Sequence, residues 1–211
     1  MINIKFEYGI DSEVKRVKNT LNDLDWLDKG KYNYSLPISI KKTGENDENI
    51  KKAVESEYSE KEFKETENAI IIEWKKKEKE IKRIQKNIIG ASNFDELNLR
   101  LTKYGTGGSY RLPNIIILNL KDRASDFLIK TVLHESIHLM IEELIKQNNV
   151  DHWRKERIVN LIMDKEFESE FKMNNSPEYA KDVDKIFNDF YPDIISITEK
   201  AGKLITPEKI Y

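Results

Sequence analysis

The chain opens on a strict alternation, with Ile2, Ile4 and Phe6 apolar and Asn3 and Lys5 polar between them. A repeat of two is the signature of a strand covered on one face. From Ser12 the period lengthens. Val14, Val17, Leu21 and Leu24 recur at helical spacing, and Ser12 can cap the helix they define. After Gly30, Tyr32 to Ile40 reads as a second extended stretch, placed at a sheet edge by Pro37, which has no N–H for a ladder. Thr43 to Asn49 is polar, carries Gly44 and Asp47, and reads as a loop. From about Ser59 to Ile89, the spacing of Phe63, Ile70, Trp74, Ile81, Ile84 and Ile88 predicts one long helix stopped by Gly90.

Alternation returns at Leu97, Leu99 and Leu101 and again at Ile116, Leu118 and Leu120, which predicts two strands flanking the glycine-rich connection Tyr104 to Tyr110. That connection lacks the Gly-Lys-Ser/Thr ending and the following helix that a phosphate loop needs. Leu128 to Ile145 is a strongly apolar helical run that Asp122 or Ser125 can cap and that ends near Asn148 and Asn149. Asp151 reads as the N-cap of a further helix reaching Lys172, with Trp153, Val159, Ile162, Met163 and Phe167 as packing positions. Asn174 to Pro177 breaks it, and Pro177 to Phe190 and Pro192 to Lys203 form two shorter helices.

Together these elements predict an α+β fold: a small mixed sheet ending in an edge strand near Ile115 to Leu120, packed on the helix of the apolar run, then a helical C-terminal part. Residues 1–90 form an N-terminal α/β portion with the long helix, a candidate subdomain, and residues 91–211 form the core.

Composition narrows the chemistry. The 211 residues carry 36 basic and 38 acidic side chains, a net charge of −2, so no overall field favours nucleic acid or an anionic membrane. Lys75 to Lys86 is densely charged, but Glu78 and Glu80 interleave with the lysines, as on a solvated helix face. No apolar run approaches the ~18 residues that span a bilayer. The first residues lack a basic segment followed by an apolar stretch, so a cytoplasmic protein is expected. Cysteine is absent, so any metal must be held by nitrogen and oxygen.

Two of the three histidines lie in His134-Glu135-Ser136-Ile137-His138, inside the apolar run. At this spacing they stack on one helix face, one turn apart, so both imidazoles can reach a single ion. Val132, Leu133, Ile137, Leu139, Met140 and Ile141 mark the helix as buried, and a polar line through such a helix wants a partner such as a metal. A catalytic zinc site usually has a third protein ligand and an open position. His152 and Glu156 on the next helix are the two candidates. In an antiparallel pair, at ~1.5 Å per residue, His152 lies ~13 Å along the axis from His138 and Glu156 about one turn nearer, so geometry favours Glu156. A strictly parallel register leaves even Glu156 short by several ångströms, a gap that helix crossing would close. Asn160, a turn after Glu156, could accept a histidine ring N–H, and Glu142, a turn after His138, could support the site from the first helix.

His134-Glu-Ser-Ile-His138 with Glu156 and Asn160 downstream resembles the gluzincin, or thermolysin-like, group of zinc metallopeptidases. The resemblance covers about Leu97 to Phe167. It implies one zinc ion held by His134, His138 and Glu156, Glu135 as general base, and Asn160 orienting a histidine where aspartate is commoner. It also implies a strand, Tyr110 to Leu120, at the sheet edge where an extended peptide could pair. The metzincin pattern is absent, because its glycine and third histidine would fall at Ile141 and Leu144. The activity implied is hydrolysis of a peptide or protein substrate. Among Tyr104, Tyr110, Tyr179 and Tyr191, we take Tyr191 as the phenol that steadies the oxyanion. The alternatives are a zincin-like metal-binding or catalytically weak interaction domain, and a zinc hydrolase acting on something other than a peptide.

Overall fold

The structure, a computed structural model, describes residues 2–42, 45–121, 123–167 and 177–205. It is an α+β protein. The described residues fall into two compact units, each built from non-contiguous stretches. One comprises the described residues within 2–74 and 96–132, the other those within 75–95 and 133–205.

The first unit holds a four-stranded mixed sheet. Its strands are β1 (Asn3–Glu7), β2 (Glu96–Thr102), β3 (Gly108–Arg111) and β4 (Ile115–Asn119), in the order β1-β2-β4-β3. β1 runs parallel to β2 and β2 parallel to β4, while β3 is antiparallel to β4. Leu97, Leu99, Leu101, Ile116 and Leu118 are fully buried, as the two alternating patterns require.

One expectation changes here. The strands flanking the glycine-rich connection are parallel neighbours, and part of that connection itself forms β3. Ile115 to Asn119 is therefore an inner strand, and the edge beside it is Gly108–Arg111. An apolar run such as Ile115-Ile-Ile-Leu118 suits a strand with neighbours on both sides, whereas Gly-Ser-Tyr-Arg tolerates an edge.

The helices of this unit are α1 (Ile10–Asn22), α2 (Leu24–Lys29), α3 (Asp47–Glu57) and the first half of α4 (Glu60–Asn87). The apolar periodicity before Leu24 gives α1, but the chain breaks at Asp23, and Gly9 rather than Ser12 occupies the N-cap. Tyr32 to Ile40 forms no strand; it contributes one isolated bridge, Ser35 to Gly105. α3 was unexpected. Its cap, Asn46, accepts from Asn49 N, and Ile50 and Val54 pack with Val17 and Tyr104 into a small core.

The second unit is helical. It holds the second half of α4, then α5 from Leu133 onward (Ser125–Gln147 in full), α6 (His152–Glu166), a 3-10 turn at Glu178–Asp182, α7 (Val183–Phe190) and α8 (Ile194–Ala201). Every residue from Val132 to Glu142 is buried, as for a helix apolar all round. α5 ends beside Asn149, whose φ of 54° is the left-handed conformation asparagine tolerates. Asp151 then caps α6, its carboxylate accepting from Trp153 N and Arg154 N. The expected cap Asp122, the extension of α6 to Lys172, and most of the break from Asn174 lie outside the described residues.

Candidate metal centre

The reversal at Asn148 to Asp151 turns α6 back along α5, and ion pairs anchor it on both sides of Glu156. Arg154, 2% exposed, binds Asp182 through Nε at 3.0 Å and Nη2 at 2.6 Å, and reaches Asp151 Oδ2 at 2.8 Å. Arg157 grips Asp184 with two bonds of 2.7 and 2.6 Å. Such forked guanidinium–carboxylate pairs hold both distance and orientation.

Glu156 thereby meets the histidines. His134 and His138 present their Nε2 atoms 3.1 Å apart. Glu156 spans them, with Oε2 3.3 Å from His134 Nε2 and Oε1 3.4 Å from His138 Nε2. Donor atoms at ~2.0–2.1 Å around a tetrahedral ion stand about 3.4 Å from one another, and one ligand atom from each of the three residues lies within 4.8 Å of the other two. His134, His138 and Glu156 could hold a metal ion. His152 lies at the rim instead, about half exposed, with Nδ1 3.9 Å from Glu156 Oε1. Crossing of the helices brings the carboxylate into reach.

The electrostatics suit a cation. Burial pushes the His138 imidazole down to about 4, against the opposing pull of Glu156, so at neutral pH the ring is uncharged with a lone pair to offer. Burial alone would raise Glu156, but bonding to His134 and His138 outweighs it and holds the carboxyl well below its usual range. Burial pushes Glu135 up to about 7; His134 opposes the shift, Glu156 adds to it, and Lys155 opposes it. Lys155 has no part in the sequence reading. It acts on both Glu135 and His138 and lies 3.8 Å from Glu142. Its only signal was its place beside Glu156.

The remaining predicted residues are placed as follows. Asn160 is buried on α6, but its Oδ1 accepts no hydrogen bond among the described residues, and the buried Nδ1 of His134 has none either. The contact of this amide oxygen with a histidine ring, expected from the sequence, is not formed. Glu142 is buried and pairs with Lys146 at 3.4 Å. Tyr191 donates to Glu166, which also holds Arg83 at 2.7 Å; burial and that bond raise its pKa. Tyr179 donates to Asp151 at 3.2 Å. In the sheet-containing unit, Tyr104 donates to Glu57 at 3.1 Å, and Tyr110 is half-buried on β3.

Comparison with family models, curated proteins and solved structures returned no match. The functional reading therefore rests on the residues themselves. Among the described residues, no helix is long and apolar enough to cross a membrane.

Proposed function

We propose that this protein is a zinc-dependent metallopeptidase that hydrolyses peptide bonds in a peptide or protein substrate, with the ion held by His134, His138 and Glu156. The observation that carries the proposal is the 3.1–3.4 Å triangle of two nitrogens and a carboxylate beside a buried glutamate. Without an ion, two imidazole nitrogens and the two oxygens of one carboxylate packed this closely repel one another unless protons are shared between them. Nitrogen and oxygen donors with no thiolate suit zinc.

When bound, zinc supplies a Lewis acid that polarises the scissile carbonyl and makes water acidic near neutral pH. Glu135 follows the first ligand directly in the chain. With its carboxyl near 7 it can take the proton of the attacking water and pass it to the leaving amine. His138 stays neutral and directional because burial disfavours its charged form.

A second reading has a specific observation in its favour. The hydroxyls of Tyr104, Tyr179 and Tyr191 are committed to Glu57, Asp151 and Glu166, which leaves these phenols engaged away from an oxyanion. A metal-binding or catalytically weak interaction domain would need none of them. Peptide hydrolysis by wild type and by Glu135→Gln, with bound zinc measured in both, separates the readings. A peptidase loses turnover in the variant and keeps its zinc. Zinc-loaded wild type that cleaves no member of a diverse peptide library would leave the interaction domain.

A further inference from the structure

The glycine-rich turn between β2 and β3 plays no part in the metal centre. Gly105 has φ +79°, and a Cβ there would fall on the guanidinium of Arg16. A Cβ at Gly107 would lie 2.6 Å from Arg123 Nη2 and 2.9 Å from Nη1. The missing side chains let two guanidiniums rest against bare backbone. Arg16 donates from Nε to Tyr104 O at 3.3 Å and reaches Thr106 Oγ1 at 3.5 Å.

Charge at the turn is unbalanced. Burial lowers the Arg16 pKa first, and repulsion from Arg111, the last residue of β3, lowers it further; Asp23 and Glu13 offset part of this without pairing. Burial also lowers the Arg123 pKa, and its guanidinium lies over the Phe127 ring at 4.6 Å. Among the described residues no carboxylate pairs with Arg16, Arg111 or Arg123. Nearby Lys103, by contrast, has its partner, Glu62, at 2.5 Å. The backbone N–H groups of Thr106 and Gly107 likewise make no hydrogen bond among the described residues, and both residues are half-exposed. The partly buried Arg123 guanidinium has no acceptor among the described residues, which is costly, and successive free N–H groups in a turn favour an anion.

We propose that this turn binds a phosphate group through Arg16, Arg111 and Arg123 and the N–H groups of Thr106 and Gly107. Three cations with no paired carboxylate among the described residues match a dianion better than a carboxylate monoanion, and the guanidinium fork fits phosphate oxygens two at a time. The turn lacks the lysine and helix N-terminus of a phosphate loop; the arginines supply that charge instead. The site stands independently of the metal centre.

Titration calorimetry on the whole chain at fixed ionic strength tests it, with inorganic phosphate and phenyl phosphate as ligands. Saturable binding of either is expected, and Arg123→Gln and Arg111→Gln should each weaken it about tenfold or more. Arg16 also braces the turn, so it is left intact, and unchanged melting of both ligand-free variants confirms that they fold. Arg123→Lys, which keeps the charge and loses the fork, should fall between. Binding of inorganic phosphate supports a site for the free ion, and binding of phenyl phosphate alone supports a phosphate carried on a larger molecule. No saturable binding of either ligand, or equal affinity in wild type and both glutamine variants, would overturn the proposal.

Discussion

The Nε2 atoms of His134 and His138 face each other across 3.1 Å, a separation at which both cannot direct a proton into the space between them. Glu156 closes the third side with one oxygen toward each ring. A cation satisfies all three at once. The protein should therefore bind one zinc ion, and His138→Ala or Glu156→Ala should each abolish tight binding. Elemental analysis after gel filtration, with a competing chelator for the affinity, checks this. Zinc at a hundredfold excess over Kd should add about 2.7 kcal/mol of stability, and a chelator should remove it. A wild-type melting midpoint indifferent to both would count against the site.

Glu135→Gln should retain zinc while peptide turnover falls by about a hundredfold to ten-thousandfold, the usual contribution of a general base. An activity loss that tracked zinc loss would instead make Glu135 a structural residue.

In metal-free protein the same glutamate predicts a pH dependence of stability. Its folded-state value, pushed up to about 7 from 4.5, favours the protonated form. The stability it contributes is present in full below pH 4.5 and is lost as pH rises through about 7, amounting to about 3 kcal/mol. His138 acts in the opposite sense. Depressed from 6.5 to about 4, it contributes stability above pH 6.5 that is lost as pH falls through 4. Urea denaturation of wild type and Glu135→Gln from pH 4 to 8 isolates the glutamate, because the histidine is common to both: the curves should converge at the acid end, and the variant should be the more stable at pH 8.

Arg154 is almost fully buried against Asp151 and Asp182, so Arg154→Leu leaves carboxylates without their cation. Loss of a buried pair of this kind costs about 3 kcal/mol or more. Because Arg154 anchors α6 near Glu156, the substitution should also weaken zinc binding. Arg157→Leu should cost less, because the Arg157 side chain is 13% exposed against 2% for Arg154. Chemical denaturation and chelator competition on both variants test the ordering.

Gly90 has φ +90°, and a Cβ there would meet Leu144 Cδ1 at 3.0 Å and press on Ile195. Gly90→Ala should destabilise the helical unit by about 1–3 kcal/mol, read from the denaturation midpoint, with zinc stoichiometry unchanged.

Much of the helical framework is legible in the linear pattern. The α5 run shows because its apolar residues are contiguous, and the start of α6 shows because Asp151 is a strong capping residue. Other elements leave little local trace. β3 is Gly-Ser-Tyr-Arg, which is a strand only because β4 offers it a ladder. α3 is hidden because Ile50, Ala53 and Val54 are scattered among lysines and glutamates, and only packing on α1 reveals their face. Tyr32 to Ile40 has strand-forming residues but pairs at a single bridge.

The metal centre divides along the same line. Covalent spacing within one helix put His134 and His138 on a common face, a relation that follows from 3.6 residues per turn wherever the helix lies. The rise per residue favours Glu156 over His152, but closing its distance to both rings, leaving Asn160 Oδ1 without a hydrogen bond among the described residues and committing Tyr191 to Glu166 all depended on how separate segments cross. Those crossings are set by side-chain packing and buried ion pairs between residues far apart in the chain, and such distances have no counterpart in residue order.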